Sequence, residues 1–447
     1  MIRKIYRGLE RCLWFLIALF MVIFPRQSVA QFQPPGRIEI TSTPNPVGSG
    51  ARALGMGGAF IAVADDATAA SWNPGGLVQL EKPEISAVSE AVRRVENNTF
   101  SEYPEASRKQ SDHGVGLNFL SAVYPFTGCN HNMVVSLNYQ HLYDFSRKWN
   151  LVLAGDQVRQ TWKYEADGGL YAWGMAYAVQ IIPQLSFGFT LNIWQDGIYP
   201  NGWEAVGEGV AQLKSSLFQQ EFRFKEYQRD RYSFSGFNSN VGLLWNVTDQ
   251  LTFGAVFKTP FTANLEHELT LLSVQTQPRP QNTQPLQESQ TTEEELAMPM
   301  SYGIGLAYRF SDRFTVSADV TRTEWEDFVL TDATGRKISP ITKDLASTAD
   351  VSPTTQVHVG AEYLFIKPQY TIPVRAGFFY DPAPAPHSPD NYFGFSLGTG
   401  VGIGRFIFDV AYVYRVGIDV GKSTVPDLNL SQNVKEHSLF TSLIIHF

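Results

Sequence analysis

Segments of about ten residues that alternate large apolar with small side chains recur along most of this chain. The segment SYGIGLAYRF, residues 301–310, shows the pattern in full. Its large members are Tyr302, Ile304, Leu306, Tyr308 and Phe310, and Gly, Ala, Ser and Arg lie between them. A period of two over roughly 9–11 residues is typical of β-strands that cross a membrane. The alternation therefore predicts an all-β fold of amphipathic strands.

The character of the small face separates two all-β architectures. The polar face of a soluble β-sandwich looks at water and carries Lys, Glu and Thr, whereas this face is mostly Gly, Ala and Ser. The opposite face is rich in Phe and Tyr, which suits aromatic girdles at the two membrane interfaces. We therefore favour a transmembrane antiparallel β-barrel of about 14 strands over a sandwich.

The first thirty residues have the features of a cleaved signal peptide. A basic start precedes the apolar segment LWFLIALFMVIF, and SVA supplies small residues before Gln31. Twelve apolar residues are short of the roughly 20 that span a bilayer. Cleavage would leave 30 Lys and Arg against 42 Asp and Glu, with one cysteine, Cys129. The mature chain thus offers no basic patch for nucleic acid and no intramolecular disulfide.

The turns and loops between the predicted strands, and the last strand, also indicate an outer-membrane barrel. Short turns such as IPQ, TDQ and SDR join some strands, and long polar segments lie between others, as in outer-membrane barrels. We expect a signal peptide at residues 1–30, a hatch at 31–83, and a barrel with long extracellular loops at 84–447. Residues 204–227 are predicted to hold a short amphipathic helix, and residues 275–295 a mobile loop. The last strand ends at Phe447, a signal for the barrel assembly machinery.

The segment before the first convincing strand suits neither face of a sheet. Residues 53–77 read ALGMGGAFIAVADDATAASWNPGGL and are crowded with small side chains. Asp65 and Asp66 are candidate N-caps for a helix over residues 67–72, which Asn73 and Pro74 would end. We predict a compact plug inside the lumen. A soluble linker is the alternative, and a phosphate loop is disfavoured because the Lys-Ser/Thr of a P-loop is missing.

Several of these segments resemble one known family. The segments GARALGMGGAFIAVADDATAASWNPGGL and VRAGFFYDPAP are similar to the FadL-like long-chain fatty-acid and aromatic-hydrocarbon transporters of the Gram-negative outer membrane. The family usually has Asn-Pro-Ala where this chain has Asn73, Pro74 and Gly75. PorV-like components of a protein secretion system share this hatch signature and barrel, so they remain the alternative.

The resemblance implies passive uptake of hydrophobic molecules, with a hatch that gates a sideways release into the membrane. It implies that the protein is not an enzyme and uses no cofactor or metal. It also implies that outer-membrane lipids surround the barrel. Strand parity predicts inward charges at Lys258, Asp319, Glu362, Arg375, Asp409 and Arg415, which would either contact a ligand or pair with one another. Arg375, Arg52 and Phe60 are the candidate ligand-binding residues. The candidate hatch or gate residues are Gly55, Gly57, Gly58, Asp65, Asp66, Asn73, Pro74 and Gly75.

Overall fold

The computed structural model describes residues 47–154, 158–215, 220–277, 285–422, 424–425 and 429–447. The predicted signal peptide, residues 1–30, and the beginning of the predicted hatch, residues 31–46, lie outside the described residues. All described residues belong to one unit of the chain.

Within the described residues, a single antiparallel sheet of twenty β-strands closes on itself. Closure follows from the pairing of β1 with β20, which runs from Glu84 opposite His446 to Phe100 opposite Leu430. The strands are β1 Glu84–Phe100, β2 Arg108–Gly128, β3 His131–Asp144, β4 Arg147–Ala154, β5 Val158–Ile182, β6 Leu185–Trp194, β7 Gly202–Ser215, β8 Gln220–Asn246, β9 Leu251–Lys258, β10 Phe261–Gln277, β11 Leu286–Met298, β12 Ser301–Ser311, β13 Phe314–Thr323, β14 Val329–Thr331, β15 Lys337–Ile338, β16 Thr354–Ile366, β17 Thr371–Tyr380, β18 Tyr392–Ile403, β19 Phe406–Val420 and β20 Leu430–His446.

The wall of the barrel has fourteen strands, because five of them are interrupted once. The interrupted strands are the pairs β3–β4, β6–β7, β9–β10, β11–β12 and β13–β14, while β15 pairs only with β14 among the named strands. The predicted 14-stranded antiparallel barrel is therefore confirmed. Closure leaves no unpaired sheet edge, which is what a sheet in hydrocarbon requires.

The two faces of the wall follow the predicted parity. In β12 the side chains of Ile304 and Leu306 are exposed on the outer surface, and the alternating residues Gly303 and Gly305 are buried against the lumen contents. Leu397 and Leu443 point outward in the same way on β18 and β20. A band of large apolar side chains thus surrounds the barrel.

Strands occupy parts of two segments that the sequence predicts as a helix and as a mobile loop. The predicted helix at residues 204–227 is wrong, because β7 and β8 pair there from Gly202 opposite Ser233 onward. Residues 286–295 of the predicted mobile loop belong to β11, which pairs with β10. In short segments, the spacing of apolar residues does not distinguish a helix from a strand. Here pairing with a neighbouring strand stabilises the extended conformation.

The residues that precede β1 fill part of the lumen. They form two short helices, α1 Ala51–Gly55 and α2 Ala69–Trp72, followed by a 3₁₀ turn, Pro74–Gln79. Helix α1 lies against β17 to β20, and the 3₁₀ turn lies against β3, β5, β6 and β8. None of the helices among the described residues is long and apolar enough to cross a membrane. We call residues 47–83 the hatch.

Candidate functional site

The hatch is held by hydrogen bonds from hydroxyl groups of the inner wall to its backbone carbonyls. The four bonds come from three strands, β6, β13 and β18: Ser186 to Gly75 at 2.7 Å, Thr190 to Ala70 at 2.7 Å, Ser317 to Ala59 at 2.6 Å and Ser396 to Gly55 at 3.0 Å. All four hydroxyl residues are buried. The small polar residues of the inner face therefore satisfy hatch backbone that would otherwise be buried without partners.

Glycines let the hatch backbone touch the wall backbone. A Cβ atom on Gly377 would lie 2.2 Å from the amide nitrogen of Gly57, and one on Gly360 would lie 2.1 Å from the carbonyl oxygen of Met56. Gly57 also has a φ of 69°, in the left-handed region that favours glycine. The Gly-rich inner face thus provides the surface on which the hatch rests.

An ion-pair network fixes one side of the hatch. Arg52 of α1 pairs with Asp65 of the hatch at 2.7 Å and with Glu362 of β16 at 2.8 Å. Glu362 also pairs with Arg375 of β17 at 2.5 Å, and Arg375 with Asp409 of β19 at 2.6 Å. Burial alone would lower the pKa of Arg52, but the carboxylates of Asp65 and Glu362 outweigh it and raise that pKa. The network joins α1 to three wall strands.

Two side chains hold the turns of the hatch. One carboxylate oxygen of Asp319 on β13 accepts hydrogen bonds from the backbone amides of Phe60 and Ile61, at 2.6 and 2.7 Å. The Asn73 side chain donates to the carbonyl oxygens of Ile61 and Leu243 and accepts from the amide of Gly75. Asn73 therefore links two parts of the hatch to strand β8.

The structure agrees with the predicted end of the helix before Asn73 and differs from the predicted N-caps. Helix α2 ends at Trp72, and Pro74 begins the 3₁₀ turn, as the sequence predicts. The N-cap is Thr68, and its own side chain makes no capping bond. Asp66 accepts from the amide and hydroxyl of Thr68, and Asp65 pairs with Arg52, so the prediction that either carboxylate caps the helix is wrong. Burial raises the pKa of Asp66, against the opposing effect of Arg52.

A cavity of about 290 Å³ lies on the long-loop side of the hatch. Its floor consists of hatch residues, among them Leu54, Gly57, Gly58, Ile61 and Trp72. Its sides come from strands on both sides of the barrel, with apolar, hydroxyl and charged side chains. A concave, partly apolar space of about this size is typical of a small-molecule site, which generally measures about 300–1,000 Å³.

The candidate ligand-binding residues do not line this cavity. Arg52 and Arg375 face the carboxylates of the network, and Phe60 is fully buried with its ring edge-on to Trp72. The six inward charges predicted from parity divide into two groups. Asp319, Glu362, Arg375, Asp409 and Arg415 are buried and bonded to the hatch or to other charges. Lys258 lines the cavity, as Arg415 does, but pairs with no carboxylate among the described residues.

Lys258 differs from the other cations around the cavity. Arg94 and Arg415 both pair with Glu436, and Arg415 also pairs with Asp381 at 2.8 Å. No carboxylate among the described residues pairs with Lys258, which lies between Asn240 and Ser301 on the neighbouring strands. The alternation along β9 predicts that Lys258 points into the barrel. Whether a carboxylate lies near it depends on strands distant in the chain, which the alternation does not locate.

A closed barrel with an apolar exterior, a plugged lumen and a cavity above the plug defines a membrane channel of the β-barrel class. The family model of the outer membrane protein transport proteins (OMPP1/FadL/TodX) matches residues 43–417. The chain belongs to this family and is an outer-membrane β-barrel transporter of the FadL/TodX type, a family of channels for hydrophobic compounds.

Solved structures share the fold at low sequence identity. The toluene transporter TodX of Pseudomonas putida is 14% identical, with a TM-score of 0.59 over 90% of this chain and 99% of its own. A FadL homologue from Pseudomonas aeruginosa is 14% identical, with a TM-score of 0.57 over 91% and 99%. The toluene transporter TbuX of Ralstonia pickettii is 14% identical, with a TM-score of 0.50 over 90% and 98%. No curated protein matches the chain.

Proposed function

We propose that this protein takes up long-chain fatty acids or related hydrophobic acids passively, with the cavity as binding site and the hatch as gate. The observation that carries the proposal is the position of the cavity directly on the hatch, where Gly57, Gly58 and Trp72 form its floor. The hatch lies between a molecule bound there and the rest of the lumen. The proposed activity is binding and passage, without a catalytic step, and the hydrophobic cargo leaves sideways into the membrane.

Lys258 supports an acid as cargo, in contrast to the toluene named for TodX and TbuX. An ammonium group in a partly enclosed cavity is poorly solvated, and a bound carboxylate would supply both a countercharge and a hydrogen-bond acceptor. The hydroxyls of Ser301, Thr321 and Thr323 line the same side of the cavity and add donors. A neutral hydrocarbon would use none of these groups.

The ties that hold the hatch support gating. Four of them are hydrogen bonds from wall hydroxyl groups to hatch backbone carbonyls, and each of these contributes only about 0.5–1.5 kcal/mol. Bonds of this strength hold a closed position and still permit exchange for water or ligand. The interruptions of strands such as β3–β4 and β6–β7 leave the wall locally irregular, which suits a sideways opening.

The test is the binding and uptake of oleate with Lys258→Met and a matched control. Lys258→Met is expected to weaken oleate binding about tenfold or more, the factor for one charge-assisted bond of at least 1.4 kcal/mol, and to leave toluene binding unchanged. Lys435→Met removes an exposed lysine from β20 and should change neither. Native mass spectrometry of the purified protein should show a bound fatty acid. An empty lumen together with co-purification of a secretion complex would contradict the proposal.

We also propose that export uses a cleaved signal peptide at residues 1–30 and that the barrel assembly machinery binds the last strand. The terminal Phe447 is exposed beside β1, and its amide donates to the carbonyl oxygen of Pro83. An aromatic carboxyl terminus on the closing strand is therefore accessible. Amino-terminal sequencing of the membrane-inserted protein should begin at Gln31, and a Met1 amino terminus would contradict the cleavage.

A further inference from the structure

Strands β1, β2 and β20 lie side by side and place all of their acidic residues on the inner face. Strand β1 pairs with β20 on one side and with β2 on the other, and residues directly opposite each other share a face. The buried residues of β1 alternate along the strand and point into the lumen. The acids on that face are Glu84, Glu90, Glu96, Asp112 and Glu436. The outer face of these three strands therefore carries no carboxylate.

Three exposed cations stand on this outer face towards the loop end of the strands. They are Arg93 on β1, Lys109 on β2 and Lys435 on β20. Arg93 lies opposite His437, two residues from Lys435, and Lys109 lies opposite Asn97 of β1. None of the three side chains forms an ion pair or hydrogen bond with another described residue. We call Arg93, Lys109 and Lys435 the outer basic patch.

Exposed cations on other strands of the barrel have a countercharge beside them. Lys148 pairs with Glu165 at 2.8 Å, and Arg229 pairs with Glu204 at 2.6 Å. Asp419, farther out on β19 than the patch, already pairs with a lysine at 2.7 Å. Like charges that share a face without a countercharge repel one another and attract anions from outside the chain. The outer basic patch thus favours an anionic partner that the chain itself does not supply.

The position of the patch relative to the apolar band indicates where this anion lies. On β20 the exposed side chain of Leu439 belongs to the band, and His437 and Lys435 follow at the next outward-facing positions. The hydroxyl of Tyr412 on β19 lies 2.7 Å from Nδ1 of His437. Tyrosines of this kind mark the interface between hydrocarbon and head groups. Arg93 and Lys435 therefore lie at the level of the lipid head groups.

The outer face of β1 forms a shallow groove between this patch and the middle of the band. Its outward residues are small, namely Ala87, Ser89 and Ala91. The hydroxyls of Ser89 and Thr441 bond each other at 2.7 Å, so the groove presents few free polar groups to hydrocarbon. Larger side chains of the neighbouring strands form its sides: Leu439 and Leu443 on β20, and Leu117 and Leu120 on β2. A groove of this form suits an acyl chain that runs along the barrel.

We propose that the outer basic patch binds the phosphate groups of a membrane lipid, with one acyl chain of that lipid in the groove on β1. Strand spacing and rise place the backbones at Lys109 and Lys435 roughly 12 Å apart, with Arg93 between their strands. Cations spread over this distance match a head group with two phosphates, as in diphosphoryl lipid A. Arginine and lysine form charge-assisted bonds to phosphate oxygens. Because the patch faces away from the lumen, the bound lipid leaves the cavity free for cargo.

The first test is native mass spectrometry of the full barrel in neutral detergent, titrated with diphosphoryl lipid A. The wild type should bind one lipid A, and Arg93→Gln with Lys435→Gln should weaken that binding at least about tenfold, the factor for one charge-assisted bond of 1.4 kcal/mol. Lys148→Gln with Arg229→Gln is the matched control, because it removes two exposed charges that are already paired. Equal affinity of the two double variants for lipid A would overturn the proposal.

A second test uses the wild-type protein alone and does not depend on the folding of any variant. Diphosphoryl lipid A should bind several-fold more tightly than monophosphoryl lipid A or phosphatidylethanolamine. Millimolar inorganic phosphate should leave lipid A bound, since the free ion has no acyl chain for the groove. Equal binding of the three lipids, or displacement of lipid A by inorganic phosphate, would contradict a site for a diphosphorylated lipid.

A third test addresses the groove while the patch is intact. Ala91→Trp fills the groove below Arg93 and should weaken lipid A binding several-fold. Ala361→Trp places the same ring on the outer face of β16, on another side of the barrel, and should leave the binding unchanged. Wild-type affinity of a folded Ala91→Trp barrel would contradict the assigned position of the acyl chain.

Discussion

At the scale of single residues, the inner face of the barrel is explained by what touches it. Glycine, alanine and serine stand there because the hatch backbone packs directly on the wall, as at Gly57 against Gly377 and Gly75 against Gly242. At Gly75 a Cβ would lie 3.0 Å from the carbonyl oxygen of Gly242, so the alanine usual in the family would require a shift of a few tenths of an ångström. Glycine at position 75 thus permits this close contact between hatch and wall.

Gly377→Ala tests that explanation. The added Cβ would meet hatch backbone at 2.2 Å, so the hatch must move, and we expect a loss of about 1–3 kcal/mol in the free energy of unfolding. The matched control is Gly402→Ala on β18, whose Cβ would have no neighbour closer than 3.8 Å. Denaturant unfolding in the same detergent measures both. Equal stability of the two variants would show that the hatch does not rest on Gly377.

At the scale of elements, strands β8, β10 and β11 extend beyond the apolar band and are joined there by buried polar side chains. Strand β9 ends at Lys258, and β10 and β11 continue beyond it with no large exposed apolar side chain among their described residues. On this extension His267 is buried between Asp230 at 2.9 Å and Glu294 at 3.5 Å, and its ring stacks on Tyr232. The three strands β8, β10 and β11 are therefore joined through one imidazole.

We expect this cluster to make the stability of the hairpin formed by β10 and β11 depend on pH. Burial alone would lower the pKa of His267, but hydrogen bonds to Asp230 and Glu294 outweigh it and raise the pKa to about 9. Because this value exceeds the unfolded value of about 6.5, the stabilisation is complete below pH 6.5 and is lost as the pH rises through about 9. Hydrogen exchange of β10 and β11, corrected for intrinsic rates, should show falling protection over that range.

Two histidine variants provide the comparison. His267→Gln should remove the pH dependence of protection and lower protection at pH 6.5. His387→Gln alters an exposed pair with Asp350 and should leave the dependence in place. A pH dependence that survives in His267→Gln would contradict the assignment.

At the scale of the whole molecule, the sequence predicts the wall better than its contents. A period of two identifies the inward residues of each strand without reference to any other strand, which is why Asp319, Glu362 and Asp409 were placed correctly. The partner of each charge depends on strands far apart in the chain, such as β16 and β19, and parity gives no distances between them. For that reason the sequence predicts Arg375 as a ligand-binding residue, whereas in the structure it pairs with two carboxylates, Glu362 and Asp409.

The central claim of the account is that the hatch must move for cargo to pass. A Cβ on Gly55 of α1 would lie 3.6 Å from the Cβ of Ala411 on β19, within the range for a disulfide. In a Cys129→Ser background, Gly55→Cys with Ala411→Cys should therefore lock α1 to the wall under oxidation, and the single-cysteine variants serve as controls.

The decisive measurement is the uptake of labelled oleate by this double variant before and after reduction. The account predicts that the oxidised protein binds oleate in its cavity but does not transport it, and that reduction restores transport. Equal transport by the oxidised and reduced forms would contradict it.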